Sequence, residues 1–154
     1  MELEREVDFC LEAQTPEDAR ALLAHPERAL ARLGVFRDLE LSGRELRGTL
    51  VAALALLGEV RFPFRARFEH AGEAATLHPL DAGDEALRAE LSGRAWLEGS
   101  RVCYRARVRL AAHLPEGEKW GGRAFKKMAE AAFVRTLERT LAGLGRSAGP
   151  GLLD

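Results

Sequence analysis

Apolar and polar residues alternate along "ELEREVDFCL" (residues 2–11), along "VRFPFRARF" (60–68) and along "RVCYRARVRL" (101–110). A period of two places successive side chains on opposite faces, so each stretch reads as a strand with one buried face. In the first, Leu3, Val7, Phe9 and Leu11 share the apolar face, with Arg5 as the exception, and Glu2, Glu4, Glu6 and Asp8 share the other. In the last, Val102, Tyr104, Ala106, Val108 and Leu110 oppose Arg101, Cys103, Arg105, Arg107 and Arg109. A chain so patterned must build a sheet and cover one side of it.

The remaining segments fill in the order. "TPEDARALLAHPERALARLG" predicts two short helices: Thr15 caps, Pro16 fits the first helical position, Pro26 breaks the run, and Gly34 ends the second helix near residue 33. "VFRDLELSGRE" predicts a short strand ending in a Ser-Gly turn. Residues 46–57 are apolar on both faces, and Gly48, Thr49 and Val51 favour strand over helix there. The expected hairpin turn is Leu57–Val60, with Gly58-Glu59 at its tip. Pro63 removes a backbone donor from the next strand, which predicts a bulge near Phe62–Phe64. Strands follow in "AATLHPL", "ALRAELSGRAWLE" and 101–114, with a turn in "LEGSR". From Phe125 to Leu144 the apolar spacing changes to three and four, predicting a long amphipathic helix with Lys126, Lys127 and Arg139 on its polar side. No repeat or linker divides the chain, so residues 1–146 form one domain and 147–154 a loose tail.

Composition excludes several classes. A net charge of −1 supplies no basic field for nucleic acid. The longest apolar run is too short to insert in a membrane, and "MELEREVDF" has no secretory signal pattern, so the expected location is cytoplasmic. Two cysteines make neither a disulfide framework nor a metal cluster, and Cys10 and Cys103 are expected as free thiols, each on a strand's outer face. His25, His70, His78 and His113 fall on different elements without metal-ligand spacing, so no metal or cofactor is expected. No nucleophile elbow or phosphate loop occurs.

The order of strand, two short helices, six strands and a long last helix resembles the helix-grip fold of the START-like (SRPBCC) superfamily. Within it, "RGTLVAALALLGEVRFPFRARFE" and "WGGRAF" are similar to the carbon monoxide dehydrogenase G-like branch. The resemblance implies an α+β fold, a curled antiparallel sheet of about seven strands around the C-terminal helix, enclosing an apolar cavity. It carries over no catalytic residues, because the superfamily has no shared set.

In such a sheet the first and last strands are neighbours, and antiparallel pairing of Glu4 with Arg109, Glu6 with Arg107 and Asp8 with Arg105 matches opposite charges at every step. Continuing that register sets Cys10 opposite Cys103. Phe62, Phe64, Phe68 and Tyr104 then face the cavity with Phe125, Met128 and Phe133 of the last helix, and Arg5 reaches its rim or a polar ligand head. These residues either line a ligand pocket or form an ordinary packed core. Gly48, Ala66, Ala89, Gly93, Ala95 and Ala106 nearby are small enough to leave room. The leading expectation is non-enzymatic binding of a small apolar molecule such as a lipid, quinone or aromatic metabolite. The alternative is an interaction or assembly protein, a homodimer through Val51, Ala53, Ala55 and Leu57. A cyclase-type enzyme would need a convergent acid–base pair, and none is evident.

Overall fold

Each period-two stretch is a strand in the computed structural model, which describes residues 2–54, 58–81, 83, 86–112, 131, 135 and 139. The order is β1 (Glu2–Glu12), α1 (Pro16–Ala24), α2 (Pro26–Ala31), β2 (Phe36–Ser42), β3 (Glu45–Leu54), β4 (Gly58–Ala71), β5 (Ala74–Leu80), β6 (Leu87–Glu98) and β7 (Arg101–Ala112). The strands form one antiparallel sheet, β1-β7-β6-β5-β4-β3-β2, which curls into a half-barrel. The first strand therefore lies beside the last, although nearly the whole chain separates them.

Local signals set the helices. Thr15 Oγ1 accepts from the Asp18 N–H at 3.0 Å, and Pro16 begins α1. Pro26 opens α2, and Gly34 follows it at φ +79°. Ala19 and Leu23 of α1 and Ala29 of α2 are fully buried. α1 packs on β5, β6 and β7, and α2 on β2, so the helices close one end of the concave face. Ala131, Arg135 and Arg139 are helical and exposed. Arg139 was expected on the polar side of the last helix, and four-residue spacing puts all three on one face. The expected core stripe of that helix, Phe125, Met128 and Phe133 included, and the tail at 147–154 lie outside the described residues.

The β1–β7 register is the one the charges anticipate: Glu4 faces Arg109, Glu6 faces Arg107, Asp8 faces Arg105 and Cys10 faces Cys103. Contacts run along the ladder and diagonally. Arg105 reaches Asp8 at 3.0 Å, Arg107 reaches Glu4 at 3.1 Å and Glu6 at 3.7 Å, and Arg109 reaches Glu2 at 2.7 Å. These side chains are 43–60% exposed, so solvent screens the pairs and their main effect is to fix register.

Three expectations fail. Cys10 and Cys103 are not free thiols but a disulfide, with Cα atoms 4.0 Å apart. Direct cross-strand opposition on one face is what brings the two sulfurs together. The expected pairing of the 46–57 stretch with the next strand forms, but Gly58–Val60 are strand and not turn: Leu54 already faces Gly58, and residues 55–57 lie outside the described residues. Gly58 has φ +73°, which a residue leaving a turn adopts readily only as glycine. No bulge occurs at Pro63, since β3 and β4 pair without a shift from Glu45–Arg67 to Leu54–Gly58. β5 pairs with β4 only from Arg65 to Ala71. At Pro63, β4 is in effect an edge, where a missing donor is tolerated. The irregularity lies in β2, between Arg37 and Glu40, where Asp38 has φ +56°.

Gly93 shows a different constraint. It sits within β6 at φ +149°, and a Cβ there would collide with the Arg105 carbonyl and approach the Ala106 Cα to 2.8 Å. The backbone of β7 occupies the space, so this glycine does not leave room for a ligand. At Gly48 the space is filled by Leu39 and Phe64 side chains. Gly93→Ala should therefore lower stability by about 1–3 kcal/mol, measured by urea unfolding, and wild-type stability in that variant would refute the close approach.

Glu45 opens β3 between two arginines, Arg65 at 2.6 Å and Arg47. Hydrogen bonds from Arg65 and then Arg47 pull its carboxyl from 4.5 down to about 2. A lowered folded-state pKa means that the stability it contributes is complete above about 4.5 and is lost as pH falls toward 2. Glu45→Gln should flatten the acid limb of the stability profile in that window, and a limb unchanged by the substitution would contradict the pairing.

Candidate functional site

The concave face is apolar by parity. Val7, Phe9 and Leu11 of β1, Leu46 and Leu50 of β3, Phe62, Phe64 and Phe68 of β4, and Val102 and Tyr104 of β7 belong to one buried cluster. Phe62 and Phe64 are 0% and 2% exposed, and Phe64 meets Phe36 edge-on at 5.8 Å. The middle of the face is therefore packed core. Space opens at one end, where a half-open groove of about 590 Å³ lies between the end of α1 at Ala24, the β2–β3 turn, and the β4–β5 hairpin. Its walls include Leu41, Phe68 and Ala75, and its rim carries Arg44, Glu69 and His70. The volume falls within the usual range for small-molecule sites, roughly 300–1,000 Å³.

Strand alternation places these groups. Phe68 and His70 share the inward parity of β4, and their rings stack at 6.3 Å. The His70 Nε2 lies 3.1 Å from the Gly72 carbonyl, which orients the imidazole at the mouth. Arg44 stands in the two-residue turn between Ser42 and Glu45, and its carbonyl accepts from the Phe68 N–H at 2.7 Å. That bond ties the β2–β3 turn to the cavity wall.

Ala75, Ala95, Tyr104 and Phe9 lie directly opposite one another on successive strands β5, β6, β7 and β1. Tyr104 is thus two strand spacings, about 10 Å, from the cavity wall at Ala75, with only a methyl group between along that row. Its ring stacks on Phe9 at 5.1 Å. Its hydroxyl is buried and no described residue hydrogen-bonds to it; the same holds for Glu27 Oε1 at the start of α2. Burial, and secondarily the Glu27 charge, push the Tyr104 pKa well above its ordinary value. The hydroxyl is a neutral donor at physiological pH. His25 Nδ1 lies 3.6 Å from the same Glu27 oxygen.

Of the residues anticipated for a ligand, the structure gathers Phe62, Phe64, Phe68 and Tyr104 on one face, and Phe68 alone among them lines the cavity. Arg5 is exposed and donates to the Glu4 carbonyl at 2.7 Å. Of the anticipated dimer face, Val51 is only 7% exposed within a single chain. The Ala53 side chain, Ala55 and Leu57 lie outside the described residues. Sequence reasoning missed Leu41, Arg44 and His70. Arg44 lies in a turn, where periodicity says nothing. His70 lacks metal-ligand spacing, yet it continues the inward parity of Phe68. Sequence reasoning also missed Glu98, which the two-residue turn pairs with Arg101 beside the cysteines.

Among the described residues no helix is long and apolar enough to cross a membrane. No curated protein matches the sequence. Solved structures similar to it include TTHA0849 from Thermus thermophilus, 18% identical over 95% of this chain and 97% of that one, with a TM-score of 0.47. The Zhui aromatase/cyclase from Streptomyces sp. R1128 is 14% identical over 98% of both chains, with a TM-score of 0.48. The human StarD13 lipid transfer and protein localization domain is 11% identical over 96% of this chain and 77% of that one, with a TM-score of 0.47. Superpositions this loose decide nothing about the site. Strand order, register and the helix pair after β1 make the fold START-like. The narrower likeness to the carbon monoxide dehydrogenase G-like branch is not confirmed. The family model that matches, over residues 8–142, is DUF3809, described as a protein of unknown function, and the chain belongs to that family.

Proposed function

We propose that the protein binds a small, mainly apolar molecule with one polar end, held between α1 and the concave face of the sheet. The observation that supports this most is the half-open groove of about 590 Å³, lined in similar measure by apolar and polar groups. Leu41, Phe68 and Ala75 suit an aliphatic or aromatic body, and Arg44 and His70 at the mouth suit an oxygen-bearing head. The Tyr104 hydroxyl is the second polar feature of the interior. A ligand long enough to pass Ala95 would find there a buried donor to which no described residue offers an acceptor. The polar groups converge on no single point, so binding without chemistry is the favoured reading.

Native mass spectrometry of protein purified gently from cells should show an added small mass that extracts into organic solvent. Ala75→Phe fills the cavity and should remove that mass with little change in stability. Ala95→Phe, set in the packed row beyond the wall, should instead cost roughly 1–3 kcal/mol. Wild-type protein that carries no extractable mass and binds no fluorescent lipid analogue would end the proposal.

Tyr104→Phe deletes a buried hydroxyl that has no described partner. The unliganded domain should therefore hold its stability or gain up to about 1 kcal/mol, whereas the bound molecule should dissociate faster. A loss of stability in the empty protein would show that the hydroxyl is satisfied within the fold.

A further inference from the structure

The outer face of the sheet carries a second constellation, away from the cavity. Cys10 and Cys103 are joined across β1 and β7. Glu98 Oε2 lies 2.7 Å from Cys103 Sγ and 4.0 Å from Cys10 Sγ. Arg101 Nη2 lies 3.7 Å from Cys103 Sγ, and Arg101 also contacts Glu98 at 3.8 Å and Glu12 at 3.7 Å. Trp96 stands directly opposite Cys103 on β6. Cys103 is 1% exposed, while Cys10 is only partly buried. A carboxylate and a guanidinium thus flank the inner sulfur, and the outer one is open to approach.

We propose that Cys10–Cys103 is a thiol–disulfide exchange site for low-molecular-weight thiols, not a permanent cross-link. In the oxidised state the Glu98 carboxylate rests against a sulfur that has no proton to share. Reduction gives Cys103 an S–H, which donates to that carboxylate. A charge-assisted hydrogen bond present in only one redox state favours that state. The reduced form is therefore stabilised relative to a disulfide without such a neighbour.

The accessible sulfur defines the route. An incoming thiolate attacks Cys10 Sγ. The Cys10–Cys103 bond breaks, a mixed disulfide forms at Cys10, and the electron pair passes to Cys103 Sγ beside the Arg101 guanidinium. That thiolate takes a proton from solvent and donates it in a hydrogen bond to Glu98. A second thiolate attacks the sulfur of the small thiol in the mixed disulfide, releasing Cys10 as a thiolate, which takes up a proton, and a small-molecule disulfide. Two small thiols are oxidised to one disulfide while the protein disulfide is reduced to two thiols. The reverse sequence reoxidises the pair with a small disulfide as electron acceptor. Reduction leaves the backbone ladder between β1 and β7 in place and removes its covalent tie.

The test titrates the intact protein, without denaturant, across ratios of reduced to oxidised glutathione, followed by acid quench, alkylation and mass spectrometry. The expected result is a reversible transition between no and two alkylated cysteines. Cys103→Ser should accumulate the glutathione adduct at Cys10. Glu98→Ala should move the midpoint on the order of tenfold toward more reducing mixtures, by removing the hydrogen bond of the reduced state, with circular dichroism reporting that the fold is retained. A disulfide that resists glutathione until urea unfolds the chain would overturn the proposal, as would a midpoint indifferent to Glu98→Ala. The three ligand atoms lie within 4.8 Å of one another. Uptake of one Zn²⁺ per reduced chain, lost in Glu98→Ala and without any glutathione adduct, would equally overturn it and make this a metal site.

Discussion

The pairing of β1 with β7 is the constraint on which the rest depends. It joins residues such as Glu2 and Ala111, so it must overcome the entropy of closing nearly the whole chain into a loop. Both faces specify it. A slip of β1 by one residue would turn Glu4, Glu6 and Asp8 inward and expose Val7, Phe9 and Leu11. The charge ladder outside and the Phe9–Tyr104 stack inside reject the same slip for different reasons. The disulfide closes a separation of 93 residues, worth roughly 4–5 kcal/mol in chain-entropy accounting when intact. It lies within an otherwise complete ladder, so the register does not depend on it.

That register also decides where the molecule is solid and where it is open. The large apolar groups of β3 and β4 meet in mid-face, and Phe62 and Phe64 are sealed there. Toward the β4–β5 hairpin the side chains shrink to Ala71, Ala74 and Ala75, and α1 ends at Ala24. The cavity therefore follows from a run of methyl groups and the end of a short helix. It does not follow from the glycines. Glycine in a strand interior signals either space or a close backbone approach, and Gly93 is the second kind.

Much of the fold was legible from the chain alone because its signals are local or simply periodic. Thr15, Pro16 and Pro26 place the helices, alternation places β1, β4 and β7, the helix-grip resemblance implies that the first and last strands are neighbours, and complementary charge along 4–8 and 105–109 gives their register. The site was less legible. Aromatic residues at inward parity mark the buried face, but parity does not distinguish a sealed Phe62 from a cavity-lining Phe68, because that depends on what the opposing helix brings. Arg44 was invisible because a turn has no period. The cysteines show the same boundary. Register predicted their opposition, and their chemical state was misjudged because it was argued from an expected compartment and not from the distance that opposition imposes.

Adjacent residues of β7 thus serve opposite environments. Tyr104 points into the apolar interior, where its hydroxyl is costly unless something accepts from it. Cys103 points outward into a cluster of Glu98, Arg101 and Glu12, where charge is paired and a sulfur can change state. The sheet separates the two. Even-numbered positions on β7, such as Val102, Tyr104 and Val108, face the buried cluster, and the arginines at odd-numbered positions pair with carboxylates on the outer side. Because the ladder to β1 is held by backbone hydrogen bonds and by paired charges on both sides of the cysteines, loss of the disulfide need not displace Phe9 from Tyr104. The apolar interior and the charged outer face share a strand, and alternation alone is enough to keep them apart.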